Sequence, residues 1–135
     1  MNYKKISIRI RKTISEGNLG FFEKTDVGFD MKRFYYIYDV PVEAKRGGHA
    51  HKSLKQLIFC PYGEVRIELD DGKEKAVEIL NNPSEGLLLE SGIWRDMYWT
   101  VENSVLCVAA SEEYDEQDYI RDYNEFIKWK QISGR

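Results

Sequence analysis

Two histidines stand one residue apart in Gly47-Gly48-His49-Ala50-His51, and the chain has no others. Imidazole is the one side chain whose unperturbed pKa lies near neutrality, so proton transfer at pH 7 points to these two first. Their surroundings are cationic. From Ala44 to Tyr62 the sequence carries Lys45, Arg46, Lys52 and Lys55 and no acidic residue, although the whole chain has a net charge of −3. A histidine pair in a basic island on an acidic protein suggests an anionic substrate that undergoes proton transfer. Arg46 beside Gly47-Gly48, where backbone can approach a ligand closely, is a candidate fork for phosphate or carbonyl oxygens. Lys45, Lys52 and Lys55 read as charges that set the local field.

The elements that must carry these residues are short strands. Arg33–Tyr38 is aromatic and β-prone. Gln56–Cys60 stops at Pro61-Tyr62-Gly63. Glu64–Leu69 and Lys75–Leu80 alternate polar and apolar residues around Asp70-Asp71-Gly72-Lys73, a hairpin turn signal. Gly86–Glu90, Ile93-Trp94 and the apolar run Ser104–Ala110 follow, with Trp94 read as core. Strands at this spacing predict a mainly β sandwich or barrel. Tyr119, Ile120, Tyr123, Phe126, Ile127 and Lys130 then fall on a 3.6-residue period. This predicts one amphipathic helix over Gln117–Lys130, capped by Asp115 or Ser111.

On a strand, residues two apart share a face, so His49 and His51 point the same way. Two histidines beside Arg and Lys would fill an apolar core poorly, which favours a site over two incidental strand residues. Tyr36 and Tyr38 share one face of their strand and Tyr35 the other, so only one set lines a pocket.

Length and composition predict one domain over 1–135: 42% apolar residues, with aromatic residues 13% of the chain, suffice for a core. The net negative charge argues against nucleic-acid binding. No apolar run reaches the ~18–20 residues of a membrane span, and the first residues show no signal-peptide pattern. Cys60 and Cys107, both in apolar runs, read as free thiols in a reducing cytoplasm, although their spacing does not exclude a bridge.

The spacing His49-x-His51, then Gln56, then Gly63 is similar to the first motif of cupin jelly-roll barrels. In metal-binding cupins a carboxylate stands at the Gln56 position. A second motif, here Gly86–Asp96, supplies a further histidine, and Arg95 occupies that place. An amide is a weak metal ligand and a guanidinium repels a divalent ion, so the pattern predicts a barrel that keeps pocket and histidines without a metal.

More of the chain then joins the likeness. Arg46–Lys52, Leu54-Lys55-Gln56, the Asp70-Asp71-Gly72 hairpin, Lys32–Ile37, Trp94-Arg95-Asp96-Met97 and Tyr114–Tyr123 together resemble the dTDP-sugar 3,4-ketoisomerases of the cupin superfamily, in order from about Ile6 to Lys128. The resemblance implies a cupin-type jelly-roll β-barrel with a C-terminal α-helix. The substrate it implies is dTDP-4-keto-6-deoxy-D-glucose, converted to a dTDP-3-keto-6-deoxyhexose without metal or organic cofactor. It further implies a homodimer with exchanged N-terminal strands, and a downstream aminotransferase that makes 3-amino sugars for bacterial glycans.

By that resemblance His49 is the acid/base at carbon, and His51 relays the proton between sugar oxygens. Tyr36 is a candidate proton donor. Arg46, Gln56, Arg95, Arg33 and Glu16 are candidate substrate contacts, with Glu16 and Arg95 expected to pair across the pocket mouth. A nucleotide-sugar-binding cupin without catalysis, a metal-dependent cupin enzyme and a C3/C5 epimerase are the alternatives.

Overall fold

The computed structural model describes residues 1–134. Two five-stranded antiparallel sheets face each other. The first has the order β1 (Tyr3–Ser7), β9 (Glu85–Leu89), β6 (Gln56–Tyr62), β11 (Val105–Ala110), β4 (Arg33–Ile37). The second has the order β12 (Tyr119–Ile120), β5 (Lys45–His51), β10 (Trp94–Trp99), β7 (Val65–Asp70), β8 (Lys75–Leu80). A separate hairpin, β2 (Arg9–Thr13) with β3 (Gly17–Phe21), joins neither sheet. One turn of helix, α1 (Lys24–Val27), precedes β4, and α2 (Tyr123–Ser133) closes the chain. This is the jelly-roll barrel with a C-terminal helix that the sequence predicts.

The main core lies between the sheets. Ile58, Leu87, Leu89, Leu106 and Val108 of the first meet Val65, Ile67, Leu69, Met97 and Trp99 of the second. Each such side chain, fully buried, contributes about 1.5–3 kcal/mol. Both sheets are also covered outside, which explains why β6, β9 and β11 read as near-continuous apolar runs rather than alternating ones. Val27 and Phe29 lie on Leu57, Leu88 and Ala109 of the first sheet. Phe126 of α2 packs with Trp94, Ala50 and Ile120 behind the second. Cys60 and Cys107 are buried and unbridged. No helix among the described residues is long and apolar enough to cross a membrane.

One expectation about an element is corrected. The helix is not continuous from Gln117. A 3-10 turn over Glu116–Asp118, capped by Asp115, leads into β12, and α2 begins only at Tyr123, where the Asp122 carboxylate accepts from the Glu125 N–H at 3.0 Å. Ile120 falls on the apolar period of the helix because it packs beside Phe126 behind the second sheet, although it is strand, whereas Tyr119 turns to the other face. The N-terminal strand β1 pairs with β9, Tyr3 opposite Leu89 through Ser7 opposite Glu85.

Candidate active site

The site is built on β5 and its two neighbours. Ala50 turns outward into the packing with Trp94 and Phe126. His49 and His51 therefore turn inward, on the shared face that period-2 geometry requires. Arg95 of β10 lies opposite His49, and the register shifts at a bulge between Arg95 and Asp96. On the other edge, Tyr119 of β12 lies opposite His51. The imidazole centroids are 4.9 Å apart with planes at 83°, and the Tyr119 ring lies 5.2 Å from His49 and 4.4 Å from His51.

Gly47 makes this approach possible. Its φ is +90°, and a Cβ there would sit 2.8 Å from the Arg95 carbonyl oxygen, a backbone atom that cannot swing away. Gly47→Ala is therefore expected to lower stability by roughly 2–3 kcal/mol and to spread β5 from β10. Urea melts with an unchanged midpoint would contradict this reading of the bulge.

His51 is completely buried. Its Nδ1 lies 3.0 Å from Asp118 Oδ2, while Nε2 is buried without a partner among the described residues. Asp118 Oδ1 accepts from both the N–H and the hydroxyl of Ser53, each at 2.8 Å. Although burial opposes it, these bonds hold the Asp118 carboxyl below its ordinary pKa. Burial, reinforced by the Arg95 charge, pushes the His49 pKa down to about 3. The same two causes, with His49 adding to them, lower His51. Both imidazoles are neutral at pH 7.

Arg95 is buried beneath them, with only 1% of its surface exposed. It donates to Gln56 Oε1 through Nη1 and to the Ile93 carbonyl through Nη2 at 3.0 Å; Gln56 in turn donates to the Tyr35 hydroxyl at 3.1 Å. Burial lowers the guanidinium to about 10, which still leaves it charged at neutral pH. Where metal-binding cupins place a carboxylate and a third histidine, this barrel has an amide and a cation bonded to each other. That donor set does not fit a divalent ion. Among the described residues no group of three or more His, Cys, Asp or Glu could hold one.

Above this floor opens a cleft of about 490 Å³. His49 and Tyr35 lie in it with three guanidinium side chains, Arg33, Arg46 and Arg121, and the rings of Tyr114 and Tyr119; no carboxylate lines it. Arg33 stacks over Tyr35 at 5.0 Å, and Arg121 over Tyr119 at 4.2 Å. Glu116 holds Arg121 through two bonds of 2.7 and 2.8 Å. Cations and flat rings together suit an anionic ligand that carries an aromatic base.

Of the basic island only Arg46 reaches this cleft. Lys45 pairs with Asp96 and Lys55 with Glu90. Two expectations fail in the single chain. Tyr36 lies on the opposite face of β4, 60% exposed, stacked 5.7 Å from Tyr38; Tyr35 is the tyrosine that faces the histidines' cleft. Glu16 stands exposed beside the β2–β3 turn, whereas the buried Arg95 is occupied by Gln56 and Ile93, so the two form no pair. Asp118, Tyr119, Arg121 and Tyr114 were not singled out from the sequence. All four lie in the Tyr114–Tyr123 segment, but reading Gln117 onward as helix hid the turn and strand that deliver them.

Fold and site together define a cupin-type barrel with a paired-histidine site, of which His49 lines a cationic, aromatic cleft. A family model described as "FdtA: WxcM-like, C-terminal" matches residues 1–131. The chain is 39% identical over 130 residues to a TDP-4-oxo-6-deoxy-alpha-D-glucose-3,4-oxoisomerase of Aneurinibacillus thermoaerophilus, covering 96% of this chain and 89% of that one. It superposes on QdtA, a sugar 3,4-ketoisomerase from Thermoanaerobacterium thermosaccharolyticum solved with TDP, at TM-score 0.93 and 40% identity, over 98% of this chain and 96% of the other. A 3,4-ketoisomerase from Helicobacter canadensis gives TM-score 0.92 and 37% identity, over 97% and 98%. The chain belongs to the dTDP-sugar 3,4-ketoisomerase family of the cupin superfamily. A dTDP-4-dehydrorhamnose 3,5-epimerase from Bacillus anthracis, 16% identical with TM-score 0.77, shares the fold alone.

Proposed function

We propose that this chain is a 3,4-ketoisomerase that converts a dTDP-4-keto-6-deoxyhexose to the 3-keto isomer, and that residues 1–135 form one such domain. The observation that carries the proposal is His49. It lines a cleft of three guanidiniums and several aromatic rings. The relatives named for this reaction, one of them solved with TDP, support the same substrate class.

The chemistry follows from the substrate. The C4 carbonyl acidifies the hydrogen on C3. Neutral His49, the histidine that lines the cleft, accepts that proton. The C3–H electron pair becomes a C3=C4 double bond, and the carbonyl π pair moves onto O4. His51, behind His49, relays a proton from O3 to O4. The O3 pair then forms the new carbonyl at C3, and the double-bond pair takes a proton at C4 from the imidazolium of His49. General acid–base catalysis of this kind contributes about 10²–10⁴-fold. Arg95 lies beneath the histidines, bonded to Gln56 and the Ile93 carbonyl. Its charge beneath the histidines favours their neutral forms and the negative charge that develops on the enediolate. Arg33, Arg46 and Arg121 are assigned to the diphosphate, and Tyr35, rather than Tyr36, is the tyrosine placed to meet the sugar. Gln56 acts by holding Arg95 and Tyr35.

The proposal extends to assembly and setting. Ile14, Leu19 and Phe21 expose apolar surface on a hairpin that pairs with neither sheet of its own chain. A homodimer in which this hairpin packs on the partner accounts for that surface, and light scattering is expected to give twice the chain mass. A monomer at micromolar concentration would contradict it. The unbridged Cys60 and Cys107 support a reducing, cytoplasmic setting. The 3-keto product suits a following aminotransferase.

The test couples the protein to a 3-aminotransferase with dTDP-4-keto-6-deoxyglucose as substrate. NMR of the product is expected to show a 3-amino sugar and its C4 configuration. No amino sugar in the presence of active coupling enzyme would overturn the reading.

A further inference from the structure

The dyad that backs His49 ends on a carboxylate for which the reaction scheme above has no role. We propose that Asp118 is the positioning residue of His51: it holds Nδ1 in its N–H form, so that the unpartnered Nε2 keeps its lone pair free for proton relay.

The argument rests on which atoms are satisfied. His51 has no exposed surface, so solvent does not choose its tautomer. Among the described residues, the only hydrogen-bond partner of its ring is Asp118 Oδ2, 3.0 Å from Nδ1. A carboxylate held ionised can only accept, which places the proton on Nδ1. Nε2 is then the acceptor, and it is the ring nitrogen left without a partner. An orphaned acceptor in a buried site has a cost that a bound substrate proton removes.

Asp118 is itself fixed from several directions. Its Oδ1 takes both Ser53 bonds, and its backbone carbonyl accepts the Lys52 N–H at 3.0 Å. The next residue, Tyr119, ladders with His51 itself. The 3-10 turn, whose Asp115 side chain accepts the Gln117 N–H at 3.0 Å, thus aims one carboxylate oxygen at Ser53 and the other at His51. Asp118 also lines a second, larger cleft of about 770 Å³ with Ser53 and Leu54, which shares the wall of Arg33, Tyr114 and Tyr119 with the first. The carboxylate end of the pair therefore faces a cleft other than the one that His49 lines.

The inference rests on the ketoisomerase reading for its consequence, but its geometry is measurable without turnover. Asp118→Asn is the test. Oδ1 continues to accept from Ser53, so the amide Nδ2–H₂ group faces His51 and forces the opposite tautomer, with Nδ1 accepting and the proton on Nε2. Because the chain has two histidines, their ¹⁵N imidazole signals are readily assigned with a His49→Asn sample as reference. The wild type is expected to show His51 as the Nδ1–H tautomer and Asp118→Asn as the Nε2–H tautomer. kcat is expected to fall on the order of 10²-fold or more, with KM nearly unchanged. Ser53→Ala, which keeps the Ser53 N–H bond, is expected to retain the wild-type tautomer and lose about tenfold or less in kcat. An Nε2–H tautomer in the wild type, or an unchanged tautomer in Asp118→Asn, overturns the proposal whatever the activity. So does a fall in kcat explained by a lower melting temperature alone. Wild-type protein with the expected tautomer but no isomerase activity would instead refute the ketoisomerase reading.

Discussion

Replacing His49 by Asn is expected to lower turnover by on the order of 10³-fold or more, while affinity for TDP changes by less than about threefold. Asn is close to imidazole in shape and stays neutral, so it preserves the packing beside Tyr119 and leaves Arg33, Arg46 and Arg121 in the cleft. It cannot accept a proton from carbon. The loss therefore falls on the chemical step rather than on capture of the nucleotide, which the guanidiniums and rings perform. Rates from the coupled assay set beside calorimetry with TDP separate the two. Loss of TDP binding with turnover retained would refute the role assigned to His49.

The second large effect concerns pH. A native histidine whose pKa is depressed to about 3 takes up no proton in the range where the unfolded chain, with pKa near 6.5, does. The stability its neutral form gives is fully present above pH 6.5 and is lost as the pH falls toward 3. His51, lowered by the same burial and the same Arg95 charge, adds to this slope in the same direction. Together they are expected to contribute on the order of a few kcal/mol that disappears across that window. Carboxylates also titrate there, so the informative quantity is a difference. The His49→Asn/His51→Asn double variant is expected to lose less stability than the wild type between pH 6.5 and 4 in urea melts. Arg95→Met removes the second cause of both shifts and is expected to move both imidazole titrations upward, as read by NMR. Histidines titrating near 6.5 in the wild type would contradict the burial and charge described for the site.

The two carriers of the site were legible because period-2 alternation is local: Gly47-Gly48-His49-Ala50-His51 declares two side chains on one face without any knowledge of the partner strands. Gln56 and Arg95 were legible as misfits in a ligand pattern, and they are indeed bonded to each other beneath the histidines. Tyr36 was misassigned because alternation says that Tyr35 and Tyr36 face opposite ways but not which way is inward; that depends on β4 pairing with β11 at the sheet edge. The Glu16–Arg95 pair failed because a linear sequence does not reveal that Arg95 is sealed under the barrel floor. Asp118 was hidden by a true 3.6-residue period that continues from Tyr119 into α2, although the first two of those residues are strand. Tertiary pairing with β5 overrode the local helical signal there.

The most direct test of the central claim is to add dTDP-4-keto-6-deoxyglucose to purified protein in D₂O, with no coupling enzyme, and follow the sugar by NMR. The account predicts signals of the 3-keto isomer with wild-type protein and no such signals with His49→Asn at equal TDP saturation. Saturation of the wild type by the nucleotide with the 4-keto sugar unchanged would contradict it, and would make the barrel a binding protein rather than an isomerase.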